Sequence, residues 1–146
     1  MINGLKSWRE VITPHEDVLR GNYRKSEFAA DLWQVLQGKG STEYLNPEEF
    51  FRMTYITDGL RGLLVQALKQ VTGHDGEPVI QLKTAFGGGK THSMLALYHL
   101  MTGNISPERV PVLRTVMNGA GISALPAVKA AVLVGTAIDP AASSEV

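Results

Sequence analysis

The 146-residue chain contains no cysteine and no excess of either charge, 14 Lys and Arg standing against 14 Asp and Glu. Without cysteine there is no disulfide scaffold, no thiolate nucleophile and no zinc site built on thiolates. Any metal ligands would come from the four histidines and the carboxylates. Without a basic excess the segment lacks what phosphate-tracking proteins use to displace counterions, which argues against nucleic acid as a partner. Extended apolar tracts are scarce too. The stretch from Val110 to Val146 comes nearest, but Arg114, Lys129 and Asp139 interrupt it, so it falls short of the roughly 20 apolar residues of a membrane span. Met1-Ile2-Asn3-Gly4-Leu5-Lys6-Ser7-Trp8 holds no signal-peptide core. A cytoplasmic chain with no membrane partner is expected, long enough for one ordinary domain.

Eleven of the fourteen acidic residues precede Pro78. This shift places a boundary near residue 76, between a helical N-terminal segment (1–76) and a second part (77–146). In the first part, Thr13-Pro14-His15-Glu16 has the grammar of a helix start, with Pro14 at the first helical position and Glu16 closing a capping box. Phe28, Leu32, Val35 and Leu36 fall on one face of a helix that Gly38 would end. Asn46-Pro47-Glu48-Glu49 opens another run, in which Phe50, Met53, Leu60, Leu64, Leu68 and Val71 recur at helical spacing. It is one long helix, or two broken near Thr57-Asp58-Gly59.

Beyond residue 77 the period changes. Pro78 to Thr84 is short, β-branched and flanked by glycines, as a buried strand should be. Thr91 to Met101 returns to helix with an apolar stripe of Met94, Leu95, Leu97, Tyr98 and Met101. Val112 to Met117 reads as a short helix closed by the Gly119/Gly121 turn, and Val128 to Val134 as a second strand. The expected fold is therefore α/β: a helical N-terminal segment, then the start of a parallel-sheet P-loop core that two strands leave incomplete.

Between the first of these strands and the following helix lies Thr84-Ala85-Phe86-Gly87-Gly88-Gly89-Lys90-Thr91. Glycines let consecutive backbone N–H groups turn toward a phosphate with no Cβ in the way, and the helix adds the positive end of its dipole. Gly87, Gly88 and Gly89 would cradle the phosphates of ATP. Lys90 would reach the β/γ-phosphates, and the Thr91 hydroxyl would ligate Mg²⁺. His92, directly after Thr91, is a further candidate beside the phosphate, against a packing role. In G-x-x-x-x-G-K-[ST] the last three positions match, whereas Thr84 replaces the first glycine.

Phe86-Gly87-Gly88-Gly89-Lys90-Thr91-His92-Ser93, with Leu97-Tyr98-His99-Leu100 and the upstream Ser26-Glu27-Phe28-Ala29-Ala30-Asp31-Leu32 and Phe50-Phe51-x-x-Thr54-Tyr55, resembles an uncharacterised family of large predicted AAA+ superfamily ATPases. The resemblance covers roughly residues 8–136. It implies ATP hydrolysis in a longer protein, partnership with other subunits of the same ATPase, and a role in DNA modification or phage defence, because such genes often lie beside DNA-methyltransferase genes.

A hydrolase of this class also needs an apolar strand ending in an acid. Asp139 is the only candidate, and the Gly135-Thr136 interruption and Pro140 mark it as a loop residue. The chain therefore reads as the nucleotide-binding part of an ATPase whose hydrolytic residues lie elsewhere. Two other classes stand beside it. One is a small P-loop phosphotransferase, which the long segment before the first strand disfavours; the other is a non-catalytic, nucleotide-dependent interaction module. Elsewhere, His15-Glu16-Asp17 is explained by capping, and His92 and His99 lack the i, i+4 spacing of metal ligands. Arg20-Gly21-Asn22-Tyr23-Arg24-Lys25 reads as a solvated turn, and Trp33 and Tyr98 as core aromatics.

Overall fold

The computed structural model describes residues 6–14, 19–20, 30–85 and 87–135. Seven helices form among them: α1 (Trp8–Val11), α2 (Leu32–Leu36), α3 (Thr42–Leu45), α4 (Pro47–Met53), α5 (Asp58–Val71), α6 (Lys90–Thr102) and α7 (Val112–Ala120). Residues 1–5, 15–18, 21–29, 86 and 136–146 lie outside the described residues, and with them His15-Glu16-Asp17, the basic turn after Arg20, Phe28 and Asp139.

Side-chain caps set several helix starts. The Asp31 carboxylate accepts from Trp33 N at 2.9 Å and Gln34 N at 3.2 Å. Asn46 Oδ1 accepts from Glu48 N and Glu49 N at 2.9 and 3.2 Å, with Pro47 just inside the helix. Of the two readings of residues 46–73, the broken one holds. Thr54 and Thr57 are extended on either side of the break, and Thr57 Oγ1 accepts from Leu60 N at 3.2 Å to start α5. Gly121, left-handed at φ 73°, ends α7.

Helix α5 packs on α6 and α7, while α2 and α4 also pack on α6. Leu64, Leu68, Leu95, Leu113 and Val116 have no solvent exposure and, with Phe50 and Phe51, form one core cluster drawn from both sides of residue 76. Helices α5 and α7 approach closely at Gly119, where a Cβ would stand 2.9 Å from Val65 Cγ2. The exposed ion pairs Arg52–Glu49 and Arg61–Asp58 add little to this packing.

The structure overturns the α/β expectation. Among the described residues there is no strand, and neither residues 78–84 nor residues 128–134 join a ladder, so no parallel-sheet P-loop core is present there. A strand is a property of a pair, and among the described residues neither segment has a paired strand. The helices cover their apolar residues only in part: Leu82 is half-buried against the core cluster, while Val79 is 76% exposed and Leu133 86%. Helix α6 packs Leu95, Leu97, Tyr98 and Met101 of the expected stripe against the core, but its most buried face is broader than that stripe. It buries Leu95, Ala96, His99 and Leu100 and leaves Met94 43% exposed. Trp33, expected in the core, is 40% exposed. Among the described residues no helix is long and apolar enough to cross a membrane.

Candidate functional site

Without a strand before it, the glycine-rich loop is a turn leading directly into α6. Gly88 N donates to Ala85 O at 3.1 Å, and Ser93 N to Gly89 O at 2.9 Å, closing the first turn of the helix. Gly87 and Gly89 sit in the left-handed region at φ 77° and 75°, with open space where a Cβ would project. Gly88 is needed for a different reason: a Cβ there would lie 2.5 Å from Thr84 Oγ1 and 2.6 Å from Thr84 Cβ. Gly89 is the N-cap of α6 and supplies no side-chain cap, so the first-turn amides retain their capacity to bind an anion. All of Gly87, Gly88, Gly89, Lys90 and Thr91 are exposed.

The Lys90 ammonium is folded onto the loop. Nζ donates to Thr84 Oγ1 at 3.0 Å, to Ala85 O at 3.2 Å and to Thr84 O at 3.3 Å. The residue that departs from the phosphate-loop pattern thus provides two of the three acceptors around the residue that defines it.

His92 faces another way. Thr54 Oγ1 donates its single proton to Phe50 O at 2.6 Å, so the contact of 3.1 Å between Thr54 Oγ1 and His92 Nε2 requires the ring to donate. The imidazole lies 4.7 Å from the Phe50 ring centroid, and burial holds its pKa below the ordinary 6.5. His92 therefore anchors the first turn of α6 to the end of α4. Two turns on, fully buried His99 donates from Nε2 to Tyr44 O at 2.8 Å and lies 5.1 Å from the same Phe50 ring. Burial lowers its pKa as well, and the Tyr44 carbonyl opposes that shift.

The loop's composition fits a nucleotide: two left-handed glycines, a third position with no room for a side chain, a lysine, and the Thr91 hydroxyl in the first turn of α6 for a Mg²⁺ that a phosphate would bring. Among the described residues no group of three or more His, Asp or Glu side chains is placed to hold a metal by itself. A cavity of about 540 Å³ lies at the other end of α6, lined in part by Met101, Asn104, Glu108 and Leu125. It stands roughly 16 Å along the helix from Lys90. Its Glu108 carboxyl, held below the usual range first by the Ser106 hydroxyl, would repel phosphate. The partners of His92 escape a reading of the loop alone, although the Phe50-Phe51-x-x-Thr54 signature contains both. The role of Thr84 escapes it because a pattern scores each position singly.

Comparison with curated proteins and with solved structures finds no match. The family model for the DUF499 N-terminal domain matches residues 5–120, a span that takes in the caps of α2 and α4, the glycine loop, Lys90 and the Phe50–His92–His99 cluster, and the chain belongs to that family.

Proposed function

We propose that the chain binds ATP, with Mg²⁺, through residues 84–91, as the nucleotide-holding part of an ATPase whose water-activating acid lies elsewhere. The observation that carries this reading is the loop itself: Gly87 and Gly89 in left-handed geometry around a Gly88 that excludes a Cβ, delivering Lys90 and Thr91 into the first turn of a 13-residue helix. In that arrangement the loop amides and the helix dipole would bind phosphate oxygens, Lys90 would offset the β/γ charge, and Thr91 would complete the Mg²⁺ shell. The resemblance to AAA+ ATPases encoded beside DNA methyltransferases extends the proposal to a role in DNA modification or phage defence, carried by the motif and not by the fold. The test is an equilibrium titration of the chain with fluorescent ATP and Mg²⁺ beside Lys90→Ala. Saturable binding lost in the variant is the expected result. A folded wild-type chain that binds no ATP sinks the proposal.

A further inference from the structure

We propose that Thr84 sets the nucleotide affinity of the loop: its hydroxyl holds the Lys90 ammonium inside the loop and competes for it with the β- and γ-phosphates of ATP. The inference rests on the nucleotide reading above and adds to it the residue that tunes the site.

An ammonium has three donors, and Lys90 Nζ has three acceptors around it, all from residues 84 and 85. Two are backbone carbonyls, which any residue at those positions would present. The third, Thr84 Oγ1, is the closest of the three at 3.0 Å and the only one that belongs to a side chain. That hydroxyl is not a free rotor. It donates its own proton to Ala85 O at 3.2 Å, and the threonine side chain fills the space over Gly88 that a Cβ would need. Thr84 and Gly88 are therefore matched in shape, and the match directs the Thr84 lone pairs at Lys90.

For Lys90 to reach a phosphate, at least one donor must leave the loop. The phosphate-loop pattern has glycine where this chain has Thr84, and a glycine there would present its carbonyl and no hydroxyl. The threonine turns a lysine that is held by carbonyls alone into one that must also break a charge-assisted hydrogen bond before it engages nucleotide. The effect is confined to ligands with phosphates beyond the α position, because those are the ones Lys90 would contact.

The experiment compares the 146-residue wild type with Thr84→Val, which keeps the branched shape and removes the acceptor, and with Thr84→Ser, which keeps the acceptor. Each is titrated with fluorescent ATP, ADP and AMP, and the acetylation rate of Lys90 relative to Lys83 is read by mass spectrometry. Thr84→Val is expected to bind ATP and ADP about three- to tenfold more tightly, the span of one hydrogen bond. AMP binding should be unchanged, Lys90 should be acetylated faster, and Thr84→Ser should follow the wild type. ATP binding in Thr84→Val that is equal or weaker overturns the competition, and unchanged Lys90 acetylation overturns the hold. If no protein binds ATP, the nucleotide reading fails and the competition with it. Intact ATP binding with an unaltered Thr84→Val fails this proposal alone.

Discussion

Replacing Gly88 with alanine tests whether the three consecutive glycines serve one purpose or two. The added Cβ would stand 2.5 Å from Thr84 Oγ1, 2.6 Å from Thr84 Cβ and 3.1 Å from Ala85 O, an overlap of about 1 Å with ordinary contact distances near 3.5 Å or more. Thr84 cannot simply swing aside, because its hydroxyl is bonded to Ala85 O and Lys90 Nζ. Relief therefore means moving the Thr84 side chain and releasing Lys90. The loop is exposed and contributes nothing to the core, so global stability should fall by less than about 1 kcal/mol, while overpacking of about 1–3 kcal/mol falls on the binding-competent loop. Set against the gain from releasing Lys90, ATP affinity should still drop by roughly an order of magnitude. Gly87→Ala and Gly89→Ala would lose affinity too, but through φ values of 77° and 75°, worth about 1–2 kcal/mol each in the left-handed region. The distinction appears in a double-mutant cycle with Thr84→Gly. Beyond the gain that loss of the Thr84 hydroxyl gives in every background, Thr84→Gly should restore at least about 1 kcal/mol of ATP binding to Gly88→Ala and nothing more to Gly89→Ala. Melting curves and fluorescent-ATP titrations of the single and double variants supply all the terms. If Thr84→Gly rescues both glycine variants equally, or neither, the steric pairing is wrong.

Leu68→Ala, at a fully buried position on the α5 face, should cost about 2–5 kcal/mol in urea unfolding; a loss below about 1 kcal/mol would mean that α5 does not pack as described. Asn46→Ala removes the acceptor for Glu48 N and Glu49 N and should cost about 1 kcal/mol, read from the same curves. Stability should fall on acidification through the histidines. Burial places the folded pKa values of His92 and His99 below 6.5, so between those values and 6.5 the unfolded chain binds more protons. Their contribution is complete above 6.5 and is lost as pH drops toward the folded values. Urea midpoints at pH 7.5 and 5.5 measure it, and His99→Leu should show a smaller decline than the wild type. An equal decline would remove His99 as a source.

What the sequence disclosed divides along the line between local and paired interactions. Asn46-Pro47-Glu48-Glu49 and Thr57-Asp58 announce α4 and α5 because a cap is made within four residues, and Gly121 marks the end of α7 for the same reason. Residues 78–84 and 128–134 carry a strand-like composition without forming strands, because β-branched composition describes a residue's fitness for a sheet and says nothing about whether a partner strand is at hand. The core face of α6 extends beyond its apolar stripe for a chemical reason. His99 is polar and carries no apolar signal, yet its ring donates to Tyr44 O and lies against Phe50, and this satisfies the polarity that burial would otherwise penalise. In the candidate site, the left-handed glycines follow from composition. The Thr84–Gly88 fit does not, since it exists only between two positions.

The electrostatics of the helix starts bear on the proposal that the loop end of α6 takes an anion. Helix α4 begins with Glu48 and Glu49 under an Asn46 cap, and α5 with Asp58 under a Thr57 cap, so both meet their positive dipole ends with acceptors of their own. Helix α6 begins with Gly89, which caps nothing, and with Lys90, and it has no acid in its first turn. A cation there is unfavourable by about 0.3–1 kcal/mol in an exposed setting, and Lys90 relieves part of that by bonding carbonyl and hydroxyl oxygens of the loop. Charge alone does not single out the site, because α7 also opens without an acid. What distinguishes α6 is that the same turn is fixed from beneath. His92 bonds Thr54 and rests on Phe50, and two turns on His99 bonds Tyr44 and rests on the same ring. A helix anchored at two successive points along its buried face presents its first-turn amides in a set direction, so an incoming phosphate would meet donors that need no reorganisation. The buried polar histidines and the exposed, uncapped first turn of α6 are thus two ends of one arrangement: the first supplies the rigidity with which the second holds its amides open to an anion.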